Sequence, residues 1–222
     1  MTKLLTQNSK MKKSLKNGIA LFNFGLPAYQ SRQGFKTCPM AGTCKKGCYA
    51  SNGSYTWPAV KDAYEHRLAL SQSAQFVEAV SKEINTKLKT ADRKGNKLVI
   101  RVHDSGDYYN LEYTLKWFKV MQAFPTVLFY SYTKSVPMFK GLSKAGKIPP
   151  NLKLVYSEGG LADNKIDLAV DNHCRIFPDA QSLEQAGYLD VSNDDSLIFT
   201  TDVKKYGIVY HGAKSKKWST VA

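Results

Sequence analysis

Between residues 97 and 157 the chain alternates short runs of branched and aromatic residues with stretches of helical periodicity, and this alternation limits the fold more than any other feature. Lys97-Leu98-Val99-Ile100-Arg101-Val102 reads as a strand. Asn110 is a candidate cap for a helix on which Trp117, Val120, Met121 and Phe124 fall at helical spacing. Thr126 to Tyr132 then reads as a strand, Pro137 to Ala145 as a short helix and Leu152 to Ser157 as a further strand. Strands and helices in this order build right-handed βαβ units and a parallel sheet. The expected class is therefore α/β, with a mainly parallel sheet.

Upstream, Gly18 to Phe24 reads as a first buried strand stopped by Gly25 and Pro27. A helix is expected from about Trp57 to Leu88, carried by Phe76, Val80, Ile84 and Leu88, with Ser54 or Thr56 as its cap. From about Ile166 the pattern weakens into short apolar pieces, 167–170, 196–199 and 207–210, which read as edge strands or a small C-terminal extension. At 222 residues one domain is expected, over 17–212, with basic tails at 1–16 and 213–222.

Lysine and arginine outnumber acids by 32 to 18, a net charge of +14 that favours polyanions, so nucleic acid is a candidate partner. Part of the surplus falls in the expected tails, at Lys3, Lys10, Lys12, Lys13, Lys16, Lys214, Lys216 and Lys217. No apolar run reaches the roughly 18 residues a bilayer requires, so no membrane association is expected. A reducing cytoplasm is the expected location, where free thiols serve as metal ligands or catalysts more often than as disulfides.

The cysteines carry the sharpest chemical signal. Cys38, Cys44 and Cys48 lie within eleven residues, with Gly42 and Gly47 between them, and Cys174 stands alone in Asn172-His173-Cys174-Arg175. A loop that folds back on itself can direct several thiolates at one small object, and iron–sulfur clusters often take their last ligand from far along the chain. An iron–sulfur cluster held by all four, [4Fe–4S] by the ligand count, is the leading expectation. It would serve electron transfer to a redox partner or a structural role. Zinc remains the alternative, although its structural sites usually pair cysteines two to four residues apart.

His103, Asp104, Ser105 and Asp107 follow the end of an expected strand, and Lys134 follows the next. Ligands gather at the carboxyl ends of strands in parallel sheets, so these five residues form a candidate ligand site on the same rim as the cysteine loop. Asp104 and Asp107 can equally serve as caps and turn formers. His66 is expected on a helix surface, Trp57 and Trp218 are the candidates for stacking on bases, and no segment matches a phosphate-binding glycine fingerprint.

The runs Thr37 to Ala50, Tyr64-Glu65-His66-Arg67-Leu68, Arg101 to Asp107 and Phe129 to Lys134 resemble a bacteriophage family, the gene product 88-like proteins. That family is similar, distantly, to radical S-adenosylmethionine barrels. The resemblance implies a phage protein in a bacterial cytoplasm with a partial (β/α) barrel. Radical S-adenosylmethionine enzymes space their cysteines three and then two residues apart and leave one iron open for the cosubstrate. Here the intervals are five and three, and Cys174 is available for the open iron. That argues against S-adenosylmethionine as a cofactor and for a closed cluster, with an open-iron enzyme as a further alternative.

Overall fold

The computed structural model describes residues 2–210. Seven strands, all parallel, form one sheet in the order β1-β2-β3-β4-β5-β7-β6, curled into a half-barrel with helices between the strands. The strands are β1 (Ile19–Phe24), β2 (Lys97–Val102), β3 (Leu128–Thr133), β4 (Leu152–Ser157), β5 (His173–Phe177), β6 (Leu189–Asp190) and β7 (Lys205–Val209). The helices are α1 (Ser9–Lys13), α2 (Pro58–Gln72), α3 (Phe76–Asp92), α4 (Leu111–Ala123), α5 (Val136–Lys144), α6 (Ala180–Gln185) and α7 (Leu197–Thr200).

Because side chains alternate along a strand, each face of the sheet collects its own core. Phe24, Ile100, Val102 and Phe129 point toward α2 to α5 and meet Phe76, Val80, Ile84, Trp117 and Phe139 there. Phe24, Phe76 and Trp117 pack edge to face, with ring centroids 5.2 to 5.8 Å apart. The inner face carries Leu21, Val99, Tyr130, Val155, Cys174 and Tyr206, covered by Met11 from α1 and by Val191 and Ile198 near the C-terminal end.

The expected long helix is two helices. Ser73 is extended (φ −88°, ψ 165°) and its N–H closes on the Leu70 carbonyl, so the chain turns between α2 and α3. Trp57, which makes no side-chain cap bond, holds the position expected for Ser54 or Thr56. Asn110 does cap α4, accepting from the Tyr113 N–H at 2.8 Å.

The first sixteen residues are not a solvated tail, as far as the described residues 2–16 extend. Leu4 and Leu5 are buried, their N–H groups donate to the Glu83 carboxylate at 2.8 and 3.0 Å, and Thr6 bridges Asn23. Apolar residues between the lysines supply the burial that outweighs the cost of ordering the segment. The expected tail at 213–222, and Trp218 within it, lie outside the described residues. Of the three weak C-terminal pieces, 167–170 is a turn, Leu197–Thr200 is helical, and 207–210 falls mostly in β7, an interior strand. Among the described residues no helix is long and apolar enough to cross a membrane.

Candidate functional site: a cysteine-lined cavity at the strand ends

After β1 the chain forms a long loop that returns across the carboxyl ends of the strands, and backbone contacts fasten it there. The N–H groups of Gly42 and Cys44 both donate to the Gly159 carbonyl, at 3.1 and 3.2 Å, and the Leu161 N–H donates to the Met40 carbonyl. Asp163 in turn receives the N–H groups of Gly159 and Gly160 at 2.7 and 2.9 Å. The contact is too close for a side chain. A Cβ on Gly42 would lie 2.8 Å from the backbone of Gly160, closer than real Cβ contacts come.

Beneath this loop is a cavity with room for the centres of water-sized spheres over about 150 Å³. Cys38, Cys44, Cys48 and Cys174 all line it, as do His103, Asp104, Ser105, Asp107 and Lys134, so the residues of both candidate sites surround one space. Cys174 reaches it from β5. In the strand register it lies beside Ser157 of β4 on the inner face. His173 points away and is held by the Asp171 carbonyl and the Tyr188 hydroxyl.

The thiols are not gathered on a point. Among the described residues no set of three or more His, Cys, Asp and Glu side chains is close enough to hold a metal ion. Cys38, Cys44 and Cys174 are not in disulfides. Burial, reinforced by the Asp107 carboxylate, pushes the Cys38 thiol up to about 12. Burial raises Cys44 as well, with the Lys134 charge opposing, and takes Cys174 to about 12 against that same lysine. As buried thiols they are poor anions without a cation beside them.

Lys134 is that cation; Lys45 and Lys46, beside Cys44, are exposed on the loop. Its ammonium donates to the Ser157 hydroxyl at 2.5 Å, which brings it beside Cys174 through the strand register. Asp107 holds the base of this arm. Its carboxylate accepts from the Lys134 N–H at 2.8 Å, the Thr133 hydroxyl at 2.6 Å and the Tyr108 N–H at 2.7 Å. Burial still raises the Asp107 carboxyl above its ordinary range.

Asp104 is held by phenols. One oxygen accepts from Tyr64 at 2.9 Å and Tyr55 at 3.3 Å, the Tyr49 hydroxyl donates to its carbonyl, and the second oxygen is buried without a partner. His103 Nδ1, Ser105 Oγ and Tyr132 Oη are buried and unpartnered as well. Nε2 of His103 lies 2.9 Å from the Tyr113 hydroxyl, and burial together with the Arg101 charge lowers the imidazole to about 3. Arg101 is ion-paired with Asp195 at 3.1 Å, and Asp195 also holds Lys10 at 2.6 Å and accepts from Tyr130 at 2.9 Å.

Arg101, Tyr49 and Tyr132 also line the cavity and were not singled out as site residues from the sequence. A charged residue near the end of an otherwise apolar strand is the signal that marks Arg101; the tyrosines carry none.

A half-barrel of parallel strands with helices between them, and a cysteine-lined cavity at the strands' carboxyl ends, makes this an α/β protein of barrel type. The sequence pattern described as "Gene product 88" matches residues 2–220, and the chain belongs to that family. It is 32% identical over 116 residues to the Gene 88 protein of Mycobacterium phage L5, and equally to that of Mycobacterium phage D29. Each match covers 50% of this chain and 47% of the phage protein, so the chain spans about half the length of the curated relatives it matches. No solved structure matches. The expected likeness to radical S-adenosylmethionine barrels has no counterpart in these matches.

Proposed function

We propose that this gene product 88 protein binds an iron–sulfur cluster in the cavity, for electron transfer or as a structural element. One observation carries the reading: the chain has four cysteines, and all four line the same cavity. Three of them share one loop, and the fourth, Cys174, far along the sequence, reaches the same cavity from β5. The donor chemistry fits a cluster better than a single ion. Zinc bonds of about 2.3 Å would draw the sulfurs to within about 4 Å of one another. A cluster bonds each thiolate to a different iron and spreads them around a larger object.

On this reading Cys38, Cys44 and Cys48 supply ligands from the loop, and Cys174 faces them from β5 as the fourth. Bound iron would supply the positive charge that the buried thiols require. Lys134, fixed by Asp107 and Ser157, offsets part of a reduced cluster's negative charge, and the phenols around Asp104 restrict water on the far side.

Anaerobic purification, or reconstitution with iron and sulfide, tests the proposal. The expected product is brown, with a broad visible band, iron and acid-labile sulfide. Replacing any loop cysteine with serine removes all three. Colourless protein that carries one zinc, or takes up no iron, overturns the proposal.

A further inference from the structure

All seven strands run the same way, so their starting ends lie together on the side of the molecule away from the cysteine cavity. Lysines gather at that side. Lys16 precedes β1, Lys94 and Lys97 stand at the start of β2, Lys147 precedes β4, and Lys204 and Lys205 lead into β7. All six are exposed, and none is in an ion pair among the described residues. The acids nearby are fewer: Asp92, Glu184, Asp202, and the pair Asp167 and Asp171 before β5. Asp171 is already neutralised by Lys140 at 2.5 Å.

The charge of this end is felt by Lys153, the second residue of β4. Burial lowers the Lys153 ammonium from its usual range, and the Lys204 charge lowers it further against the opposing Asp202 carboxylate. A surface with more cations than counter-ions is held at a cost that a polyanion would relieve. At the cavity end the lysines and arginines are mixed with Asp62, Glu65, Glu112, Glu158 and Asp163. Among the described residues the strand-start end therefore carries exposed lysines outside any ion pair.

We propose that this basic end is a docking face for the phosphate backbone of a nucleic-acid duplex. A duplex fits better than a single strand because the exposed aromatics, Phe35, Tyr49 and Trp57, belong to the cavity side. Nothing aromatic among the described residues of the basic end is exposed to stack on bases, so contact is with phosphates and carries no sequence preference. The inference does not rest on the cluster reading.

Fluorescence anisotropy of the full chain with a labelled DNA duplex tests it. With roughly six phosphates neutralised, affinity falls about a thousandfold between roughly 50 and 200 mM salt. Reversing Lys97, Lys204 and Lys205 to glutamate lowers the salt slope by about one per residue. Lys45→Glu with Lys46→Glu, at the cavity end, leaves binding unchanged. Circular dichroism and a thermal melt establish that both variants fold, and glutamine versions of the three lysines give a milder loss in the same direction. Four results overturn the proposal: no binding at low salt, loss on reversing Lys45 and Lys46 instead, tighter binding to single strands, or preference for anionic vesicles through the exposed Leu168, Val170 and Val203.

Discussion

His103 gives a pH dependence whose sign and size follow from its surroundings. The imidazole is buried, stacked edge-on to Tyr108 with ring centroids 4.6 Å apart, and close to the Arg101 charge, so it stays neutral down to about pH 3. In the unfolded chain it titrates near 6.5. A group with a depressed cationic pKa binds its proton first in the unfolded state. The stability it supports is complete above pH 6.5 and falls as the pH drops toward the folded value. The slope approaches about 1.4 kcal/mol per pH unit below the unfolded value, so about 1.6 kcal/mol is lost between pH 6.5 and 5. Asp107 works with the opposite sign. Its carboxyl is raised, so it takes its proton in the folded state first and favours folding as the pH falls. A variant comparison is needed to isolate the histidine. His103→Asn suits this, because φ at this position is +69°, in the left-handed region that asparagine tolerates, and the amide does not titrate. The variant is expected to be about 1 to 2 kcal/mol less stable at pH 7, through the lost Tyr113 bond and ring contacts. Its urea midpoint should then change less than the wild type's between pH 7 and 5. Parallel pH profiles for the two proteins would refute the assignment.

Gly42→Ala should unfasten the cysteine loop, since the added methyl meets the Gly160 backbone at 2.8 Å. A cost of about 1–3 kcal/mol is expected, seen as a lowered melting temperature and increased proteolysis within the loop, with the helices retained. Asp195→Asn should cost about 3–5 kcal/mol in urea titrations, because it leaves the Arg101 charge buried without its partner. Leu5→Ala should cost about 2–5 kcal/mol, which a solvated tail would not produce, and an unchanged urea midpoint would contradict the packing of the N-terminal segment.

The elements legible in the sequence were those whose local preference and burial agree. β2, β3 and β4 are branched and aromatic, and α4 carries its own cap and an apolar stripe. The break between α2 and α3 has no proline or glycine to announce it; Ser73-Ala74-Gln75 would continue a helix if tertiary packing allowed. His173-Cys174-Arg175-Ile176-Phe177 hid as a strand because His173 and Arg175 interrupt its apolar run, although each finds a partner in Tyr188 and Glu158. The N-terminal segment hid behind its lysines. For the cavity, the cysteine loop and the ends of β2 and β3 follow from strand order alone, whereas Lys134 beside Cys174 depends on the pairing of Ser157 with Cys174.

That pairing bears on whether the proposed cluster is closed. Cys38, Cys44 and Cys48 belong to a loop outside the sheet, so moving them toward a ligand breaks no strand pairing. Cys174 has no such freedom: it is on a strand paired on both sides and packed among Val155, Tyr130 and Tyr206. Closure therefore requires the loop to carry the cluster toward β5, past the Lys134 ammonium. Cys174→Ala measures this. Removing one buried sulfur costs about 1 kcal/mol of stability, so the fold survives. If Cys174 is the fourth ligand, reconstituted variant protein should hold iron but lose cluster faster in air, and added small thiols should change its electron paramagnetic spectrum. If the spectrum and oxygen lifetime match the wild type, Cys174 is a packing residue and the three loop thiols hold the cluster without it.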